Sequence, residues 1–175
     1  IKAMEYMREE VRKAGFPDMH YMMMDGGGFP YNDGNKARVD NRMFLKPDSW
    51  ALYNMGGFDP DYMRHGQNAI DYRNGWDNYM DIPVFPTVSI GWDDTPRFPA
   101  KGENDVTRFN HSPEAFKNFL LEAKRYADAH PEQPKFVMIN AWNEWVEGSY
   151  LLPDRYWGYG WLEAVQEVFG PVKEK

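Results

Sequence analysis

The sequence of 175 residues contains no cysteine, so neither a disulfide framework nor a thiolate metal site can form. It also lacks a basic excess, since 20 Lys and Arg stand against 27 Asp and Glu, for a formal net charge of -7. This balance argues against a general nucleic-acid-binding protein, which carries a basic stripe or patch. No apolar run approaches the roughly 20 residues of a membrane-spanning helix, and no signal peptide is visible.

The features of cofactor sites are missing as well. The four histidines are scattered without metal-ligand spacing, so we predict no His-based metal site. No glycine-rich phosphate loop follows a predicted strand, because Gly26-Gly27-Gly28 lacks the required spacing and no helix opens after it. We therefore predict that the protein uses no cofactor and binds no nucleic acid.

The sequence is rich in aromatic residues, which make up 17% of a chain that is 42% hydrophobic. That composition is typical of a globular protein with a substantial core. The chain begins at Ile1 rather than Met and opens inside a helical pattern. We interpret it as a fragment or a processed piece, with any targeting segment upstream.

Predicted strands and helices alternate along the chain. Strands are predicted over 19–24, 50–55, 83–90 and 135–141. Helices are predicted over 2–14, 60–79, 113–129 and 157–169, the third with Ser112 as its N-cap and Pro113 in its first turn. Strands that alternate with helices in this way imply a parallel sheet.

Four strand–helix units amount to half of a (β/α)8 TIM barrel, a fold that normally needs about 250 residues. We therefore predict that residues 1–175 form a single partial α/β barrel domain, with the missing half of the barrel as its partner. The alternative is a complete flavodoxin-like sheet. It is disfavoured because no phosphate loop follows any predicted strand.

Paired carboxylates follow the last predicted strand. Glu144 and Glu147 are three residues apart, directly after the apolar stretch 135–139. Two carboxylates can divide acid and base work if their environments separate their pKa values. The commoner fate of such a pair is exposure on a helical turn. Aromatic neighbours argue against that reading, since an aromatic face suits a sugar ring. The predicted substrate contacts around the pair are Asn143, Trp142, Trp145 and Tyr150.

Polar residues also follow the other predicted strands. After strand 83–90, Trp92 is a candidate to stack on a sugar ring, and Asp93 or Arg97 is a candidate to bind a sugar hydroxyl. The alternative is that the segment simply forms a turn, since its residues are typical of turns, and that Arg97 pairs with Asp93 or Asp94. Asp25 and Tyr53 lie near the ends of the first two strands and are weaker candidates, since a tyrosine near a strand end more often packs than binds a ligand. Residues at the carboxyl ends of parallel strands are expected to share one rim.

Several of these segments resemble one family. The segment Ile139–Tyr150, with Pro153-Asp154 and residues 159–164, resembles the C-terminal signature of WbsX-type proteins, which are described as glycoside hydrolase family 99-like. Pro86-Thr87-Val88 with residues 91–97 resembles their second motif, and Ser112-Pro113-Glu114 with Phe116 resembles the start of their penultimate helix. The resemblance covers about residues 80–169.

The resemblance implies a (β/α)8 barrel of which this chain is the C-terminal half. It also implies retaining cleavage of α-mannosidic linkages, as in an endo-α-mannosidase. Carried over, Glu144 is the base that takes the proton from the sugar's 2-hydroxyl, and Glu147 is the acid that protonates the departing oxygen. Leu152 departs from the family pattern, in which an acid usually precedes Pro-Asp.

We therefore predict a glycoside hydrolase that acts on a complex glycan or polysaccharide, for which a periplasmic or secreted location is expected. The first alternative is a glycosyltransferase of O-antigen or capsular polysaccharide synthesis. It is disfavoured by the absence of a nucleotide-phosphate loop. The second alternative is a non-catalytic sugar-binding fragment.

Overall fold

The computed structural model of the chain describes residues 2–25, 47–52, 59–99, 106–107 and 109–171. The α-helices within these ranges are α1 Lys2–Lys13, α2 Tyr62–Asp77, α3 Pro113–Ala129 and α4 Gly160–Phe169. The strands are β1 Met22–Asp25, β2 Ser49–Leu52, β3 Val84–Phe85, β4 Thr87–Ser89, β5 Met138–Asn140, β6 Asn143–Glu144 and β7 Ser149–Tyr150. None of these helices is long and apolar enough to cross a lipid bilayer.

The predicted parallel pairing of the strands is confirmed. β1 pairs with β2, β2 with β3, and β4 with β5, all in parallel. The predicted strand 83–90 is two strands instead of one, because Pro86 has no N–H to donate to a ladder. The part before Pro86 therefore pairs with β2, and the part after it pairs with β5. The described residues form a mixed α/β fold with parallel strands and no closed barrel.

Capping side chains set where two of the helices begin. Ser112 caps α3 as predicted, and its hydroxyl accepts from the amide of Ala115 across 3.2 Å. The second helix begins later than the predicted residue 60, because the carboxylate of Asp61 accepts from the amide of Met63 and makes Asp61 the N-cap.

The last helix also begins later than predicted, at Gly160. Asp154 and Gly158 exchange backbone hydrogen bonds of 3.2 and 3.1 Å. These bonds close residues 154–158 into a turn, which delays the helix start predicted at 157.

The helices bury their apolar faces in two clusters. The larger cluster lies between the helices and β4, and its fully buried members include Tyr62, Phe116, Leu120 and Trp161. The smaller cluster packs α2 against β2 and β3 around Trp50 and Trp76, whose ring centroids are 6.1 Å apart. Aromatic side chains of this size bury about 150–250 Å² each and dominate core energetics. The core therefore holds α2, α3 and α4 against the strands whose ends carry the candidate site.

Candidate functional site

Two polar segments meet at the carboxyl ends of β4 and β5. The strands are in register, with Ser89 opposite Asn140. Beyond the strands, the amide of Ile90 donates to the carbonyl of Asn140 across 2.9 Å, and the amide of Asp93 donates to the carbonyl of Glu147 across 2.7 Å. Residues 91–97 and 143–150 therefore lie side by side on one rim of the sheet.

A short hairpin presents the two glutamates. Asn143 and Glu144 of β6 pair antiparallel with Tyr150 and Ser149 of β7. A single 3-10 turn over Trp145–Glu147 joins the two strands. Glu144 therefore lies on a strand and Glu147 on the turn, so the pair is not the exposed helical pair of the alternative interpretation. Sequence patterns missed this hairpin because strands of two residues show no periodicity.

Gly148 is required at the end of the turn. Its φ of 62° lies in the left-handed region, which disfavours residues with a Cβ. A Cβ built there would also lie 2.9 Å from the Cβ of Asp93 and 3.0 Å from its backbone nitrogen. Gly148 thus allows the glutamate turn to pack directly on the segment that carries Arg97.

The guanidinium of Arg97 reaches both glutamates. Its Nη1 donates to Oε1 of Glu147 across 2.5 Å, and its Nη2 lies 4.0 Å from Oε2 of Glu144. The sequence suggested a neighbouring aspartate as the ion-pair partner of Arg97, and that interpretation was wrong. Its partner is a glutamate 50 residues away along the chain.

The two glutamates differ in exposure. The side chain of Glu147 is 9% exposed, whereas that of Glu144 is 43% exposed. Oε2 of Glu147 is buried and makes no hydrogen bond within the part of the chain that the structure describes. One carboxylate is therefore enclosed and held by Arg97, while the other faces solvent.

Hydrogen bonds to Asp93 and Asp94 form the turn that carries Arg97. The carboxylate of Asp93 accepts from the amide of Thr95 across 3.0 Å and from its hydroxyl across 2.6 Å. The amide of Arg97 donates to the carbonyl of Asp94, which closes the turn. Asp93 thus stabilises the predicted turn with the carboxylate that was also a candidate hydroxyl anchor.

Exposed aromatic side chains lie on and beside the hairpin that carries the glutamates. The residues Trp142 and Trp145 are 56% and 47% exposed. The ring of Trp145 stacks on Tyr150, with centroids 4.0 Å apart and planes 24° apart. Trp92, on the facing segment, is half-buried. Large apolar side chains grouped at a surface in this way mark a binding site more often than chance exposure does.

A buried polar network supports the hairpin, and sequence reasoning missed it. The amide nitrogen of Asn140 donates to the hydroxyls of Ser89 and Ser149 across 3.2 and 3.3 Å. Both hydroxyls donate in turn to the carbonyl of Gly91. The available signal was the presence of small polar residues at the ends of apolar strands, where they must find partners once buried.

The side chains of two further candidates lie outside the described residues. Asp25 is the last residue of β1, which pairs with β2 on the far side of β3, and its side chain lies outside the described residues. Tyr53 also lies outside the described residues. Within the described part of the chain, no group of three or more His, Asp or Glu side chains is placed to hold a metal ion.

Comparison with known proteins identifies one family. A family model described as "Glycosyltransferase WbsX" matches residues 1–165. Among curated proteins, two described as "Uncharacterized protein WxcX", from Xanthomonas campestris pv. campestris strains B100 and ATCC 33913, are each 38% identical over 89 residues. That match spans 50% of this chain but only 12% of the length of each relative. No solved structure matches the chain.

Proposed function

The chain belongs to the WbsX family, and from this premise we propose that it carries the catalytic carboxylates of a glycan-cleaving hydrolase. The observation that carries the proposal is the placement of Arg97 between Glu144 and Glu147, on the rim where two parallel strands end. Two carboxylates of unequal exposure beside exposed tryptophans form an arrangement suited to acid and base roles on a sugar.

The carboxylates divide the reaction into two steps. In the first, Glu144 removes the proton from the 2-hydroxyl of the sugar. That oxygen then attacks the anomeric carbon, while Glu147 gives a proton to the departing glycosidic oxygen. In the second, Glu147 takes a proton from water, the water oxygen attacks the anomeric carbon, the bond from that carbon to the 2-oxygen breaks, and the 2-oxygen recovers its proton from Glu144. Two inversions at the same carbon retain its configuration.

Exposure fits this division of roles. The base must meet a hydroxyl of the incoming sugar, and Glu144 is the more exposed of the two carboxylates. The acid works best in an enclosed site, and Glu147 is the buried one. Arg97 holds Oε1 of Glu147, and Oε2, which makes no hydrogen bond within the described residues, is the oxygen that carries the proton of the acid step.

The fold proposal extends the same reasoning. We propose that the parallel strands β1 to β5 are part of a (β/α)8 barrel completed by chain outside residues 1–175. The site lies at the carboxyl ends of the strands, where barrel enzymes carry their catalytic residues. The small share of the WxcX relatives that the match covers leaves room for such a partner segment.

The test of the hydrolase is the stereochemistry of its product. The full protein is incubated with α-mannan oligosaccharides, and the anomeric proton of the first product is followed by NMR. Release of the α-anomer before mutarotation is expected for a retaining enzyme. Release of the β-anomer, or no cleavage of any glycan in a broad polysaccharide panel, would contradict the proposal.

A transferase is the second candidate function, and the description of the family as glycosyltransferases favours it. An Asp-x-Asp sequence, typical of metal-dependent transferases, does occur at Asp59-Pro60-Asp61. The carboxylate of Asp59 accepts from Arg64, and that of Asp61 caps α2 and accepts from Asn110. These contacts give both carboxylates structural roles. Calorimetry with nucleotide-sugars and Mn²⁺ separates the candidates, since only a transferase should bind them.

A further inference from the structure

A pocket lies against the hairpin that carries the glutamates, and the chemistry proposed above does not use it. Its volume is about 340 Å³, near the small end of the range for ligand sites. Its walls are mostly aromatic, with one acidic side chain: His111, Tyr150, Tyr156, Trp157, Trp161 and Asp154. A pocket of this size and lining suits a single ring rather than a long apolar chain.

The pocket and the glutamates share a wall. Gly148 lines the pocket and directly follows Glu147. Tyr150 lines the pocket as well, and its ring stacks on Trp145 beside the glutamates. The backbone of residues 147–150 therefore lies between a ligand in the pocket and the carboxylates.

Contacts within the protein hold the pocket in shape. The carboxylate of Asp154 accepts from the amides of Tyr156 and Trp157 across 2.7 and 2.5 Å, which holds the loop that carries these rings. Trp157 packs edge-on against Trp161, and Trp161 stacks on His111 with centroids 5.0 Å apart. A preformed site loses little conformational entropy on binding, which is how a rigid pocket gains affinity.

Tyr156 stands out within this loop. It is 82% exposed, although it is a large aromatic residue on a hydrogen-bonded turn. Its ring meets Trp157 edge-on, with centroids 4.7 Å apart. An aromatic face held open to solvent at the mouth of a pocket is suited to the apolar face of a sugar ring.

The charge of the lining residues limits which sugars the pocket can bind. Of the residues that line the pocket and are described by the structure, none is Lys or Arg. Burial is the main reason that the pKa of His111 lies below its ordinary value, so its ring is neutral at neutral pH. Asp154 then makes the pocket negative, and an anionic sugar such as a uronate would be repelled.

We propose that this pocket binds one neutral pyranose unit of the glycan whose adjacent linkage lies at Glu144 and Glu147. The inference rests on the proposed hydrolase function, and it adds that the substrate is an oligosaccharide of neutral sugars rather than a single glycoside.

The experiment records indole N–H signals by ¹H–¹⁵N NMR, using the full protein with Glu147→Gln to prevent cleavage. The neutral probes are α-mannotriose and maltotriose, and the anionic probe is trigalacturonate. We expect a neutral trisaccharide to shift the signals of Trp157 and Trp161, and trigalacturonate to leave them unchanged. Tyr156→Ala should weaken binding about three- to tenfold, because one ring face is lost. Tyr156→Phe is the matched control and should retain most of the affinity.

The other possible results distinguish a failure of the pocket proposal from a failure of the hydrolase proposal. Shifts confined to Trp142 and Trp145 would overturn the pocket and leave the hydrolase standing. Shifts at Trp157 that depend on Tyr156, in a protein that cleaves no glycan, would support the pocket and contradict the hydrolase. The pocket proposal is also overturned if neither neutral probe shifts any indole signal, or if trigalacturonate binds as tightly as the neutral probes.

Discussion

The amide of Asp93 donates to the carbonyl of Glu147 across 2.7 Å. This bond joins the two segments that carry the candidate site, one after β4 and one after β5. It holds the turn that carries Glu147 against the turn that carries Arg97. The ion pair between these two side chains therefore forms between loops that are already bonded to each other. Preorganisation of this kind lets a site hold a charged group in place without rearrangement during reaction.

Glu147→Gln should abolish the acid step while keeping shape and hydrogen bonding. We expect cleavage of a natural glycan to fall by about 10²-fold or more, because amides cannot donate the proton that the departing oxygen needs. Aryl glycosides with good leaving groups need little protonation and should lose less in the first step. Steady-state kinetics on both substrate types measure the difference. Equal losses on both types would contradict the acid role.

Glu144→Gln should harm both substrate types alike. The base activates the attack on the anomeric carbon, and that attack is needed whatever the leaving group is. We expect losses of about 10²-fold or more on the natural glycan and on the aryl glycoside. The assignment fails if the variant turns over the aryl glycoside at a near wild-type rate.

Arg97→Met tests whether Arg97 positions Glu147 or binds substrate. Without the guanidinium, Glu147 loses its bonded partner and its fixed orientation, so we expect kcat to fall by about tenfold or more. Arg97→Lys keeps the charge but loses the planar fork, and it should give an intermediate rate.

The matched control for this variant is Arg64→Met, which removes an exposed ion pair with Asp59 and should change neither kinetics nor stability much. A rise in KM with unchanged kcat for Arg97→Met would instead show that Arg97 is a substrate anchor, the role that its sequence position suggested.

Gly148→Ala tests the contact between the glutamate turn and Asp93. Gly158→Ala is the matched control, because Gly158 has a similar φ of 57° but a Cβ added there would meet no atom within 4 Å. The control should cost about 1–2 kcal/mol, the usual strain of a left-handed residue. Gly148→Ala should cost more, since its Cβ would meet Asp93 at 2.9 Å. Urea unfolding measures both, and equal losses would show that the turn moves freely.

The local elements were largely predictable. Alternating strands and helices, the Ser112 cap and the parallel pairing follow from apolar runs and capping residues, which act over a few neighbouring positions. Pro86 has no N–H and therefore indicates a break between β3 and β4. The prediction of one strand over 83–90 relied on the apolar run and missed that break. The β6–β7 hairpin gave no such local signal.

Sequence alone determined that Glu144 and Glu147 follow a strand, that tryptophans flank them, and that the 91–97 segment carries turn chemistry. These properties depend on residues close together in the chain. Only the tertiary structure decided that Arg97 pairs with Glu147, that Glu147 is enclosed and Glu144 open, and that Asp154 holds the loop of Tyr156 at the adjacent pocket. Those properties depend on burial and on contacts between segments about 50 residues apart. A local sequence pattern does not specify which distant residue will lie beside a given strand end.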